Sequence, residues 1–183
     1  MQMAAPLEIA ISCADMERMI AFYCDVLGCT LFDQVEVPPA VARTVPLARA
    51  GYRVCRLQTT SGERIKFVEP KQPRAAVPPS APGTDPESDP ESDGVMMREH
   101  AFYLTFIVED LDALLEALRT KGVELMAGGG KTEIRRGFFI AFAHDPEGNV
   151  LEFNQYADLA GYRPDLDQWR PPRLPAGAGA NQT

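Results

Sequence analysis

The sequence predicts an α+β protein built from two βαβββ modules in one chain. Three observations carry that expectation. The pattern strand, aspartate, amphipathic helix, glycine occurs twice, first over "LEIAISCADMERMIAFYCDVLG" and again over "YLTFIVEDLDALLEALRTKG". Each copy is followed by three short apolar segments with strand character. Between the copies, residues 70–94 hold seven of the sixteen prolines and a doubled "DPES", a composition that cannot build a core and reads as a linker or long surface loop.

In the first module, "LEIAISC" reads as a strand. Met16, Met19, Ile20, Tyr23 and Leu27 then recur at helical spacing, and Gly28 closes the helix. "CTLFDQVEV", "YRVCRLQT" and "RIKFVEP" follow as strands, the last two joined by the turn signal "TSGE". In the second module the expected strands are "VELMAG", "GFFIAFA" and "NVLEFNQ". A shift of 95 residues lays Glu8 on Tyr103 and Asp15 on Asp110, and a shift of 86 lays Ile65, Lys66 and Phe67 on Leu151, Glu152 and Phe153. Internal repetition of this kind sets the architecture. The expected boundaries are 1–69 for the first module, 70–95 for the linker, 96–157 for the second module and 158–183 for a polar tail whose large anchor is Trp169.

A chain of 183 residues fits one domain or two small modules. Its formal charge of −8 argues against nucleic acid or an anionic membrane as partner. No apolar stretch reaches the roughly 20 residues that cross a bilayer, and "MQMAAPLEIA" lacks the features of a signal peptide. Cys13, Cys24, Cys29 and Cys55 show no zinc spacing and read as reduced thiols of a cytoplasmic protein. With only His100 and His144 present, a histidine-rich metal site is impossible within one chain. His144 precedes "DPEG", which fits a type I turn, so it is expected as an exposed turn residue. "GGGK" at residues 128–131 lacks the strand–loop–helix setting of a phosphate loop and reads as a connection.

Together, "ADMERMIAFYCDVLG", "VEDLDALLEALRTKG" and "DPEGNVLEF" resemble the vicinal oxygen chelate superfamily, which holds glyoxalase I, bleomycin-resistance proteins and extradiol dioxygenases. The resemblance implies paired curved mixed sheets around a cup-shaped cavity, the glyoxalase-like fold, and commonly a homodimer. In the metal-dependent members four ligands converge in the cup, and by position those places here are Glu8, Lys66, Tyr103 and Glu152. Lysine repels a divalent ion and tyrosine is a poor ligand for one, so the sequence implies no metal and no other cofactor.

Those four positions define the candidate catalytic set. Alternation along strands puts Glu8, Ala10 and Ser12 on one face, Tyr103 with Thr105 on another, and Glu152 with Asn154 and Tyr156 on a third. Ser12, Phe139, Asn154 and Tyr156 are the candidate substrate-binding residues. A carboxylate buried in the strand "NVLEFNQ" needs a partner or a chemical role; Lys66 and the Tyr103 hydroxyl are the expected partners of Glu8 and Glu152. The expected function is metal-independent proton transfer of isomerase, lyase or cyclase type on a small carbonyl-bearing or aromatic molecule, with Glu152 or Glu8 as base. The alternatives are a binding protein of the bleomycin-resistance type and a metal-dependent lyase or dioxygenase with an altered ligand set.

Overall fold

The computed structural model describes residues 7–72 and 102–167, so Trp169, His100 and all but the first residues of the proline-rich segment lie outside the described residues. Two compact units divide what is described, residues 7–72 in the first and residues 102–166 in the second.

The first unit runs β1 (Glu8–Ser12), α1 (Met16–Ala21), β2 (Thr30–Val37), α2 (Pro39–Ala42), β3 (Tyr52–Gln58) and β4 (Arg64–Pro70). Its sheet has the order β1-β4-β3-β2, with β1 parallel to β4 and the remaining pairs antiparallel. The second unit repeats the plan with β5 (Tyr103–Ile107), α3 (Leu111–Thr120), β6 (Thr132–Arg135), β7 (Phe138–His144) and β8 (Val150–Tyr156), in the order β5-β8-β7-β6. Both repeat shifts agree with the strand register. Glu8 pairs with Arg64 and Ala10 with Lys66 in the first unit, while Tyr103 pairs with Val150 and Thr105 with Glu152 in the second.

In each unit the helix that follows the first strand starts at an aspartate cap. Asp15 accepts from the Arg18 N–H at 3.0 Å and Asp110 from the Ala113 N–H at 2.9 Å, a contribution of about 1 kcal/mol each. The stretch from Asp15 to Gly28 is one residue longer than that from Asp110 to Gly122. A π-helical turn over Phe22–Val26 absorbs the extra residue, the usual structural outcome of a single insertion in a helix.

The helix side of each sheet is the core. In the first unit Ile11, Met16, Met19, Tyr23, Cys55, Leu57 and Phe67 are buried, and Tyr23 meets the Phe67 ring edge-on at 4.9 Å. In the second, Leu104, Leu111, Leu115, Leu118, Leu151 and Phe153 are buried, with Phe106 stacked on Phe153 at 5.8 Å. Burying each such side chain contributes roughly 1.5–3 kcal/mol.

Three expectations need correction. "VELMAG" is not a strand: Leu125 forms a single bridge to Ala143, then a 3₁₀ turn at Ala127–Gly129 turns the chain, with positive φ at Gly128 and Gly129. The edge strand is instead Thr132–Arg135. His144 is not an exposed turn residue; it is the last residue of β7, half-buried and paired with Val150. The turn begins one residue later, where buried Asp145 accepts from the backbone N–H groups of Glu147 and Asn149, both at 2.9 Å. Finally, the segment read as the start of a tail is structured to Asp167: α4 (Leu159–Tyr162) follows β8, and Tyr162 stacks on Tyr156 at 3.9 Å.

Candidate functional site

In the first unit, Glu8, Arg64, Lys66, Arg56 and Gln58 share the sheet face opposite the core, because Glu8 pairs with Arg64, Arg56 with Lys66 and Gln58 with Arg64. Three cations surround the Glu8 carboxylate. Arg64 Nη1 lies 3.4 Å from Oε1, Arg56 Nε 3.6 Å from Oε2 and Lys66 Nζ 3.8 Å from Oε2. Arg56 also donates from Nη1 to both oxygens of Asp33, at 3.0 and 2.9 Å. Arg64 donates from Nε to buried Gln58 at 3.2 Å, and its guanidinium lies 3.8 Å above the Phe32 ring. Phe32 reaches that position because a bulge between Leu31 and Asp33 interrupts the pairing of β2 with β3. Beyond Lys66, the same face closes on an apolar cluster of Ala42, Tyr52 and Val54, against which Val68 packs. Ser12 lies exposed at the end of this face, paired with Val68.

The corresponding face of the second unit is chemically different. Glu152 stands between Thr105 on β5 and Phe142 on β7. Its Oε2 accepts from the Thr105 hydroxyl at 2.7 Å and from Asn154 Nδ2 at 3.3 Å. No described residue of its unit donates to Oε1, and none places a cation within 4.0 Å of the carboxylate. Asn154 is 6% exposed, and its Oδ1 is buried without a hydrogen-bond partner among the described residues. Tyr103 sits diagonally from Glu152 on the same face, within the reach expected of an aromatic side chain, and its ring meets Phe142 edge-on at 6.4 Å. Farther along, Phe138 stacks on Tyr156 at 4.5 Å and Arg135 lies 5.7 Å over Phe138. Burial foremost, with the hydrogen bond and charge of Tyr162, pushes the Tyr156 phenol up to about 12.

These placements sort the sequence-selected residues. Glu8 and Lys66 come together in the first unit, and Tyr103, Glu152, Asn154 and Tyr156 share a face of the second. Phe139 does not join them. It pairs with Gln155, whose side chain bonds the start of α3, so Phe139 takes the helix side and Phe138 the face of Glu152. Sequence reasoning passed over Arg56, Arg64 and Gln58. A signal existed for all three: a hairpin centred on Ser61 pairs residues equidistant from it, which sets Arg56 beside Lys66 and Gln58 beside Arg64. A bulge is invisible to alternation, so Asp33 and Phe32 carried no such signal.

The donor set does not suit a divalent metal at the four repeat-related positions. Glu8 is ringed by three fixed cations, and among the described residues no three His, Cys, Asp or Glu side chains gather as a metal site would need. Nor is any described helix long and apolar enough to cross a membrane.

The sequence pattern of the Glyoxalase/Bleomycin resistance protein/Dioxygenase superfamily matches residues 6–153. A comparison with curated proteins finds no match. Among solved structures, a glyoxalase family protein from Bacillus cereus is similar with a TM-score of 0.65 and 16% identity, covering 85% of this chain and 95% of that one. A glyoxalase/bleomycin resistance protein/dioxygenase domain from Frankia sp. EAN1pec is similar with a TM-score of 0.59 and 14% identity, over 86% and 95% of the two chains. The trypanothione-dependent glyoxalase I of Leishmania major is similar with a TM-score of 0.53 and 18% identity, over 88% and 93%. At these identities the likeness concerns the fold.

Proposed function

Because this chain belongs to the Glyoxalase/Bleomycin resistance protein/Dioxygenase superfamily, we propose that it acts on a small carbonyl-bearing organic molecule by proton transfer at Glu152. The observation that carries this reading is the asymmetry of the Glu152 carboxylate. Oε2 is held by two neutral donors, Thr105 and Asn154, while Oε1 receives no hydrogen bond from a described residue of its unit. One oxygen is thus fixed and the other is open to a proton.

Glu8 offers no such oxygen, since Arg64 engages Oε1 while Arg56 and Lys66 crowd Oε2. In the proposed step, Oε1 of Glu152 takes a proton from the carbon beside a carbonyl. The C–H electron pair moves into the carbonyl, and charge develops on its oxygen. The Tyr103 hydroxyl donates a hydrogen bond to that oxygen. Return of the proton from Glu152 to the same carbon restores the ketone with its α-hydrogen exchanged; in a β,γ-unsaturated ketone, return to the γ-carbon moves the double bond into conjugation, and no step runs through a metal. Phe142 and the Tyr103 ring, edge-on to each other, give the reacting carbon an apolar neighbour. Asn154 is a positioning residue, because its amide fixes the carboxylate through Oε2.

The test is exchange of α-protons in D2O, followed by proton NMR, for a panel of small hydroxy ketones and aryl ketones. The protein is expected to speed exchange of at least one panel member. Glu152→Gln should lower that rate by about 10²–10⁴, the range of a positioned base, with Glu124→Gln as an unaffected control. Equal rates for wild type and Glu152→Gln, or no exchange above buffer for any ketone, would overturn the assignment.

A further inference from the structure

The face of the first sheet carries three cations and two carboxylates in a protein whose formal charge is −8. The side chains of Arg56, Arg64, Lys66 and Glu8 are only 28% to 30% exposed, so the surplus positive charge is held partly away from water. We infer that this face is a binding site for a small organic monoanion, a carboxylate by preference, received by Lys66, Arg64 and Arg56.

Unused donors identify the recognition chemistry. Lys66 makes no hydrogen bond with a described residue; among these its charged partner is Glu8 at 3.8 Å, beyond hydrogen-bond reach. On Arg64, Nε is committed to Gln58 and Nη1 points toward Glu8 at a long 3.4 Å, leaving Nη2 without a described acceptor. On Arg56, Asp33 takes Nη1 and leaves Nη2 likewise. Both guanidinium groups are pre-oriented, one by the Asp33 carboxylate, the other by Gln58 and its place over the Phe32 ring. One oriented Nη2 on each guanidinium and the Lys66 ammonium supply separate charged donors for the two oxygens of a carboxylate.

Space and shape agree with the charge. Ala10, the strand neighbour of Lys66, is exposed and carries the smallest side chain on that face. Val68, two residues along β4, starts the apolar cluster with Val54 and Tyr52. A ligand with its carboxylate at Lys66 therefore has the half-buried Val68 and the exposed Ala10 beside its organic part. Monoanion binding also brings the five charged groups to neutrality, whereas a dianion such as phosphate overshoots. Glu8 is an internal competitor for the same donors, held at distances too long to saturate the three cations. This inference does not depend on proton transfer at Glu152, since its test reads binding alone.

Benzoate is the probe, titrated into the full chain at low ionic strength by calorimetry, with benzamide as the neutral isostere and inorganic phosphate as the dianion. Saturable binding of benzoate, and neither comparator matching it, is expected. Lys66→Met should weaken benzoate at least about tenfold, as for loss of a hydrogen bond between charged groups. Lys71→Met, which removes the same charge from the same unit, should leave the affinity unchanged. Glu8→Gln should tighten benzoate several-fold, an outcome that misfolding cannot imitate. Equal affinity for benzoate and benzamide, tighter binding of phosphate, an equal loss in Lys71→Met, or no gain in Glu8→Gln would each overturn the inference.

Discussion

Glu69, near the end of β4, accepts a hydrogen bond at 3.0 Å from the backbone N–H of Met16, the first residue of α1. Gln155 does the same for Leu111 at 3.2 Å at the start of α3, in the repeat-related place. In both units the side chain at the end of the central strand therefore satisfies one of the four N–H groups that open a helix. That contact ties the helix start to the strand carrying Lys66 in one unit and Glu152 in the other. The two units differ in charge here, and the difference has a measurable consequence.

Arg53 donates to Glu69 at 2.6 Å, and its guanidinium, together with the Met16 N–H, holds the Glu69 carboxyl below the usual carboxylate range. A carboxyl lowered in the folded state stabilises the protein above its unfolded value, near 4.3, and loses that contribution as pH falls through the folded value. Urea midpoints measured from about pH 6 to about pH 3 should therefore fall less steeply for Glu69→Gln than for wild type. At neutral pH the same variant should be less stable by about 1–2 kcal/mol. Parallel acid profiles for the two proteins would show that the Arg53 contact contributes nothing.

Gly51 and Gly28 separate backbone strain from steric clash. Both have positive φ, at 97° and 73°. A Cβ on Gly51 would lie 2.9 Å from the Val37 carbonyl oxygen, while nothing lies within 4 Å of one on Gly28. Gly28→Ala should cost about 1 kcal/mol, from conformation alone. Gly51→Ala should cost about 2–3 kcal/mol or more, since the edge of β2 must also move. Equal losses in chemical denaturation would show that the loop before β3 yields freely.

The repeat was legible because its cause is local. Asp15 and Asp110 cap, Gly28 and Gly122 terminate, and the apolar alternation of "RIKF" and "VLEF" needs no tertiary information. What the sequence could not give were features set by pairing irregularities. The bulge at Phe32 places an aromatic ring under Arg64, and the glycine turn at Gly128 and Gly129 moves the edge strand to Thr132–Arg135. Glu8 and Lys66 were legible as partners through the repeat and the family resemblance, and the parallel pairing of β1 with β4 is what brings them together. The Arg56 and Arg64 contacts, which turn that pair into a basic face, required the hairpin register. The sequence left Phe139 or Phe138 for the wall of the cup, and the register of β7 on β8 puts Phe138 on the face of Glu152.

The cysteines should be slow to react although none is in a disulfide among the described residues. Burial pushes both the Cys29 and Cys55 thiols up to about 11, and Cys13 is buried. Cys24 is half-buried and also raised, by burial and then by the Asp25 carboxylate. Since the thiolate is the nucleophile, a disulfide reagent at pH 7.5 should modify at most Cys24 in the native protein, well below the rate of free cysteine. All four should react after denaturation. Rapid native modification of two or more thiols would contradict the burial described.

Tyr156 supplies a test at the alkaline end. Its phenol, raised to about 12 by burial and by Tyr162 stacked 3.9 Å away, stays protonated in the folded state at pH values where an unfolded tyrosine, near 10, ionises. The folded state then binds the proton more tightly, so the contribution of this group is complete below about pH 10 and is lost as pH rises through its folded value. Ultraviolet titration of the phenolates should show a step near 12 that is missing in Tyr156→Phe. In Tyr162→Phe that step should move down, because the hydrogen bond and the second phenolate are gone. It should not return to the value of a free tyrosine, because burial is the larger cause. Stability between about pH 10 and about pH 12 should correspondingly decline less for Tyr156→Phe than for wild type. An unchanged titration in Tyr162→Phe would show that α4 does not hold its ring against the strand carrying Glu152.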